Sequence, residues 1–158
     1  MAEITKTIDI NAPVEVVFEF VTNPHNTTSY STQFRKFEPL GEQERGLGAQ
    51  VEAAGCYMGV TIKTTLEVTE FIINKRFVSC STKGVKSIST WEFEQNSPDV
   101  TTVKFTSEYS MPGKRLGWLL DKMLIEKDVE KTLIDTLINL KKIMEGKPNL
   151  SPASPAHW

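Results

Sequence analysis

Residues 111–145, MPGKRLGWLLDKMLIEKDVEKTLIDTLINLKKIME, decide the fold of this chain. Met111–Gly113 interrupts a long run of strand-like sequence, and helical spacing then predicts one helix from about Lys114 to Glu145, ending at Gly146. A single long helix that follows strands buries its apolar stripe against the sheet that those strands form. The space between helix and sheet is either filled by side chains or open to a ligand.

The apolar face of this helix changes direction partway along, because each residue advances the face by about 100°. The second half keeps one direction through Val129, Leu133, Leu137, Leu140 and Met144. The first half presents a stripe, rotated by about 90°, that consists of Leu116, Leu119, Leu120 and Met123. We therefore predict a kink, a break or a change of packing partner between about Leu120 and Asp128. The second half would seal the core, and the first would face a cavity or a lid.

Upstream of the helix, the pattern predicts one strand, two short helices and six more strands. Residues 3–10 alternate as a half-buried strand does, an amphipathic helix covers about 13–22, and residues 23–31 predict irregular helical turns. Turn-forming residues then separate the strands at Gly41–Gly48, Gly55–Gly59, Asn74–Lys75, Lys83–Gly84 and Asn96–Asp99. The predicted fold is α+β: a curved seven-stranded antiparallel sheet wrapped around the long C-terminal helix, with two short helices after the first strand.

Composition limits the classes of function. The 158 residues suit a single domain, predicted over residues 1–146, and the three prolines of residues 147–158 predict a disordered tail. No apolar run approaches the roughly 18 residues of a membrane span, and the N-terminus lacks a signal-peptide core, so we expect a cytoplasmic protein without membrane insertion. A net charge of −2 argues against nucleic acid as a partner. Cys56 and Cys80 are too few for a disulfide framework, and buried reduced thiols are expected.

The order of predicted elements and several short stretches resemble the START/SRPBCC superfamily, whose Bet v 1-like fold is also called the helix-grip fold. The stretches are Ile8–Val21, where a strand runs through Ala-Pro into an amphipathic helix, Glu44–Gly48, Val68–Phe71, Trp91–Phe93 and Leu133–Glu145. They span nearly the whole chain, to about residue 146. Within the superfamily, the chain is similar to the bacterial and archaeal polyketide cyclase/dehydrase-like proteins.

The resemblance implies a deep hydrophobic cavity between sheet and helix that holds lipids, polyketides or other aromatic or isoprenoid-like molecules. In some branches this cavity serves ring cyclisation, hydrolysis or chaperone contacts. A plant branch carries a glycine-rich loop resembling a phosphate loop, but this chain has only Gly46 and Gly48, beside Arg45, at that position. We interpret these glycines as a hairpin turn, and we predict no cofactor.

No catalytic or metal-binding constellation stands out in the sequence. His25 lies in a polar segment and His157 in the tail, so neither predicts a nucleophile–base pair, and no His/Cys spacing predicts a metal site. A small-molecule cavity is the best candidate site. Its predicted lining consists of Tyr30, Phe34, Val60, Ile62, Thr64, Phe77, Ser79, Trp91, Phe105, Ser107, Tyr109, Leu116, Leu119, Leu120 and Met123.

Three classes of function fit these features, in decreasing order of preference. The first is the binding or transport of a small hydrophobic ligand, which needs only the cavity. The second is a polyketide cyclase/dehydrase-type enzyme or a hydrolase, for which Tyr109, Ser107 and Lys6 are the residues to substitute; whether any reaction occurs stays open. The third is a protein-interaction module that uses the outer face of the sheet or the first helix.

Overall fold

The computed structural model describes residues 2–57, 60–110 and 122–146, and these residues form the predicted α+β fold. Alternating apolar residues form the strands, and residues with helical apolar spacing form the first and the last helix. The elements are β1 (Ala2–Ile10), α1 (Val14–Thr22), a 3₁₀ turn (Pro24–Asn26), α2 (Thr27–Tyr30), β2 (Phe34–Leu40), β3 (Gln50–Tyr57), β4 (Val60–Ile72), β5 (Arg76–Lys83), β6 (Ser87–Ser97), β7 (Val100–Tyr109) and α3 (Lys122–Gly146).

The seven strands form one open antiparallel sheet in the order β1-β7-β6-β5-β4-β3-β2. This confirms the predicted sheet, with one correction at the predicted turn Gly55–Gly59, because β3 continues through Gly55 to Tyr57. A Cβ atom at Gly55 would lie 2.2 Å from the backbone oxygen of Gln33. The glycine therefore permits close approach of the chain beside β2, which a sequence pattern does not distinguish from a turn.

The end of α3 is tied to the end of β1 by polar contacts. The Asn11 backbone N–H donates to Glu145 Oε2 at 2.7 Å, and Lys141 Nζ donates to the Asp9 carbonyl and to Glu145 Oε2, both at 2.6 Å. Asn11 therefore contacts α3 and does not cap α1, whose N-cap residue is Pro13 without a side-chain cap bond.

Helix α3 is continuous from Lys122 to Gly146. Its buried seam begins earlier than predicted, because Ile125 is only 4% exposed and continues the seam of Val129 and Leu133, whereas Met123 is 63% exposed. The buried face of α3 therefore begins at Ile125, within the first turn of the described part of the helix. Leu116, Leu119, Leu120 and the tail over 147–158 lie outside the described residues.

The hydrophobic core is divided into two clusters. The main cluster joins α1, β1, β6, β7 and α3 around residues such as Val17, Phe93, Val103 and Leu140. The second cluster lies under β2, β3 and β4 and consists of Val51, Ala53 and Leu66 with Phe34 and Phe37 beside them. The two clusters do not merge, and the space between them contains the candidate site. In the described part of the chain, no helix is long and apolar enough to cross a membrane.

Candidate functional site

Two adjacent cavities lie between one face of the sheet and the helices. The larger cavity has a volume of about 180 Å³ and the smaller about 60 Å³. Residues from both core clusters line each cavity, including Leu133 and Leu66 in the larger and Trp91 and Val51 in the smaller. Four residues line both cavities: Gln33, Phe34, Leu66 and Ser89.

An aromatic row forms the sheet side of the smaller cavity. Phe77 on β5, Trp91 on β6 and Phe105 on β7 are paired across the strands, and all three line the cavity. Trp91 stacks on Phe105 with ring centroids 4.0 Å apart and planes 11° apart. The Tyr30 ring meets Trp91 edge-on, while its hydroxyl donates to the Val21 carbonyl at 3.3 Å. This end of the site therefore offers flat apolar surfaces.

A row of three serines crosses the same strands beside the aromatic row. Ser79 pairs with Ser89, and Ser89 pairs with Ser107, so the three side chains lie in register across β5, β6 and β7. Ser79 lines the smaller cavity, Ser107 the larger, and Ser89 both. Ser89 was missed in the sequence prediction, although its two-residue spacing from Trp91 places it on the same face of β6.

Tyr109 lines the larger cavity next to the serine row. It is 9% exposed, it pairs with Ser87 across the strands, and its hydroxyl has no hydrogen-bond partner among the described residues. Burial raises the pKa of the phenol above its usual value, and the nearby Glu126 carboxylate raises it further. The phenol therefore stays protonated and can donate a hydrogen bond. Thr64 differs, because its hydroxyl already donates to the Lys83 carbonyl at 2.8 Å.

Threonines hold α2 and the start of β2 against α3 on the helical side of the site. The Thr32 backbone N–H donates to Thr136 Oγ1, and the Thr32 hydroxyl donates to the Thr132 carbonyl, both at 3.3 Å. Thr136 lines the smaller cavity, whereas Thr32 and Thr132 line the larger. These hydrogen bonds hold in place the helical wall that the two cavities share.

The loop between β2 and β3 closes one end of the smaller cavity through Glu44, Arg45 and Gly46. Arg45 Nη1 donates to Glu19 Oε1 and Arg45 Nη2 to Thr22 Oγ1, both at 2.6 Å, which anchors the loop on α1. The hydrogen bond from Arg45 holds the pKa of Glu19 below its usual value. Gly46 adopts φ of +86° in a turn closed by the Ala49 N–H to Gly46 carbonyl bond.

The predicted lining residues fall into four groups. Tyr30, Phe34, Phe77, Ser79, Trp91 and Phe105 line the smaller cavity, and Phe34, Ile62, Thr64, Ser107 and Tyr109 line the larger. The side chains of Val60, Leu116, Leu119 and Leu120 lie outside the described residues. Met123 lies on the exposed face of α3 and lines neither cavity.

Other candidate groups have structural contacts. Lys6 Nζ lies 3.5 Å from Glu130 Oε2 of α3, in an ion pair rather than in either cavity. Both cysteines are free thiols, but Cys56 is exposed and Cys80 half-buried, so the expectation of buried thiols is wrong for Cys56. Within the described ranges, no group of three or more His, Cys, Asp or Glu residues is placed to hold a metal ion.

The chain is similar to one protein family and to several solved structures. A family model described as polyketide cyclase/dehydrase and lipid transport matches residues 1–145. No curated protein matches the chain. Among solved structures, TTHA0849 from Thermus thermophilus is similar with a TM-score of 0.80 at 20% identity, covering 92% of this chain and 99% of that one.

Two further solved structures share the fold. The Zhui aromatase/cyclase from Streptomyces sp. R1128 has a TM-score of 0.76 at 16% identity, over 92% of this chain and 94% of that one. A START superfamily protein from Mycobacterium smegmatis has a TM-score of 0.74 at 15% identity, over 90% of this chain and 97% of that one. At these identities the likeness concerns the fold.

Proposed function

Because the chain belongs to the polyketide cyclase/dehydrase and lipid transport family, we propose that it binds a small hydrophobic ligand in the two adjacent cavities. The observation that carries this proposal is the divided core. Residues of both clusters line a partly open space of about 180 Å³ beside one of about 60 Å³. Protein interiors are normally packed without voids larger than a water molecule. A cleft of this size that separates the two clusters favours a binding site over one continuous core.

The size of the space indicates a compact ligand. An engineered apolar cavity of about 150 Å³ is large enough to bind benzene, and the larger cavity here has about 180 Å³. A molecule of one aromatic ring therefore fits the larger cavity, and a second fused ring would extend toward the smaller one. In the smaller cavity, the stacked Trp91 and Phe105 rings form a flat apolar surface that the end of such a molecule can contact.

A cyclase/dehydrase-type enzyme is the second candidate function, and Tyr109 is the observation that favours it. An unpartnered phenol that stays protonated can donate to a carbonyl oxygen and stabilise negative charge that develops on it. Tyr109→Phe removes this donor while it keeps the ring. If the protein is an enzyme, this change lowers turnover and leaves the fold intact; a binding protein keeps its ligand with altered affinity.

Native mass spectrometry tests the binding function. Protein purified from its source organism, or incubated with an organic extract of those cells, is compared with Ser89→Leu, which places a larger apolar side chain where both cavities meet. We expect a bound small molecule on the wild-type protein that organic solvent releases, and at least a several-fold lower occupancy on the variant. Equal occupancy on the two proteins, or none on either, would contradict the proposal.

A further inference from the structure

The cavities contain a feature that hydrophobic binding alone does not require, namely the hydroxyl row formed by Ser79, Ser89 and Ser107. Neighbouring members lie directly opposite each other on adjacent strands, which places them roughly 4.8 Å apart. The row ends in apolar residues, because Ser79 pairs with Val68 on β4 and Ser107 with Ile4 on β1. The unbroken row of hydroxyls is therefore confined to β5, β6 and β7.

The hydroxyls of this row have no protein partner within the described residues, since none takes part in a hydrogen bond there. Other hydroxyls of the sheet show the contrast. Thr64 donates to the Lys83 carbonyl at 2.8 Å, and the fully buried Thr101 donates to the Ala12 carbonyl at 2.7 Å. The serine hydroxyls accordingly keep their hydrogen-bonding capacity for whatever occupies the cavities.

The hydroxyl row also has a consequence for the choice of ligand. A hydrocarbon that enters the cavities removes water from the serine hydroxyls and returns no hydrogen bond, which lowers affinity by about fivefold to a hundredfold for each hydroxyl left unpaired. A ligand with oxygen atoms at these places replaces the lost bonds. Two residues away on each strand, Phe77, Trp91 and Phe105 face the remaining apolar part.

We propose that the hydroxyl row is the specificity-determining element of the cavities, and that it selects compact ring ligands with hydrogen-bonding oxygens along one edge. Hydrocarbons of the same size and shape are rejected. This inference rests on the proposed binding function and names the chemical class that the site accepts. Oxygens at alternate positions of a ring have a separation similar to that between neighbouring strands, so such a ring can contact two hydroxyls of the row at once.

Competition between two molecules of matched shape tests the inference. 1,3-Dihydroxynaphthalene and 1,3-dimethylnaphthalene differ by hydroxyl against methyl, and each is used to displace the polarity-sensitive fluorophore 1-naphthylamine. We expect the dihydroxy compound to compete at least about tenfold more strongly with wild-type protein. In the triple variant Ser79→Ala, Ser89→Ala, Ser107→Ala, we expect this ratio to fall to about one or below while 1-naphthylamine still binds.

Ser97→Ala is the matched control, because Ser97 ends the same strand as Ser89 and lines neither cavity. It should keep the wild-type ratio. If circular dichroism shows that the triple variant does not fold, Ser89→Ala alone should reduce the ratio by about threefold or more.

The outcomes separate the two proposals. Binding of 1-naphthylamine with equal competition by the two naphthalenes, or a triple variant that keeps the wild-type ratio, overturns the hydroxyl-row inference and leaves the binding function standing. Failure of wild-type protein to bind 1-naphthylamine or either naphthalene overturns both.

Discussion

At the residue scale, two apolar positions of α3 differ in how deeply they are buried. Leu133 is 1% exposed and lies in the main cluster, whereas Met123 is 63% exposed. Removing a buried leucine loses its burial and leaves a void, whereas the mostly exposed Met123 side chain has little burial to lose. The seam of the helix, rather than its overall apolar content, stabilises the fold.

Leu133→Ala should therefore lower the free energy of unfolding by about 2–5 kcal/mol, and Met123→Ala by less than about 0.5 kcal/mol. Urea denaturation of the two variants beside the wild type measures the difference. Losses of equal size would show that the described start of α3 contributes as much to the core as the seam does.

Tyr30 makes stability depend on alkaline pH. Its hydroxyl is buried, and burial raises the pKa of the phenol far above the usual 10.0. Because the folded pKa lies above the unfolded one, the neutral phenol stabilises the folded state fully below pH 10 and loses this contribution as pH rises further.

Denaturation of wild type and Tyr30→Phe across this range tests the effect. Above pH 10, the free energy of unfolding of wild type should fall relative to that of Tyr30→Phe by roughly 1.4 kcal/mol per pH unit. Parallel pH profiles would mean that the phenol ionises without leaving the folded state.

At the element scale, Gly55 shows how one backbone contact determines the path of β3. The Gln33 backbone oxygen would lie 2.2 Å from an added Cβ atom, so Gly55→Ala must separate the chain before β2 from β3. We expect a loss of about 1–3 kcal/mol in the free energy of unfolding. Binding of 1-naphthylamine should weaken as well, because Gly55 lines the larger cavity.

Gly146→Ala is the control, since no atom of the described residues is found within 4 Å of the position that its Cβ would occupy. It should change the free energy of unfolding by less than about 0.5 kcal/mol. Equal effects at the two glycines would contradict the close-approach explanation.

The β2–β3 loop depends on Arg45 for its position. Arg45 contacts both the Glu19 carboxylate and the Thr22 hydroxyl, whereas the His25 ring pairs with the exposed Glu44 carboxylate of the loop. Arg45→Ala should therefore release the loop more than His25→Ala does. Cleavage by thermolysin before Leu47, which is 65% exposed, reports this release.

We expect cleavage about fivefold faster for Arg45→Ala, which corresponds to ~1 kcal/mol of lost anchoring, and a near wild-type rate for His25→Ala. The same rate in all three proteins would show that the loop is held by its own turns.

At the scale of the whole molecule, strand parity and helical spacing were sufficient to predict the sheet, the order of elements and the helix that packs on it. The same parity predicted Trp91, Phe105, Ser107 and Tyr109 as inward positions, and they line the cavities. Spacing within one strand does not show which residue lies opposite on the next. The serine row could therefore not be predicted, because it depends on the register of β5, β6 and β7.

Contacts between distant elements also escaped prediction. Asn11 fits the pattern of a helix cap, yet it bonds Glu145, which lies 134 positions later in the chain. Ile125 is buried and extends the seam by one turn before Val129. The Asn11 contact depends on how α3 docks against the sheet, which no local pattern specifies, whereas Ile125 follows the four-residue spacing of the seam and could have been predicted.

A fluorescence titration tests whether the space between the two core clusters is a binding site. 1-Naphthylamine is added to wild type, to Ser89→Leu, which fills the junction of the cavities, and to Ser97→Leu, which makes the same change away from them. A binding site in this space predicts saturable binding to wild type and Ser97→Leu, and at least about tenfold weaker binding to Ser89→Leu. Equal affinity for all three proteins, or no saturable binding to any, would contradict it.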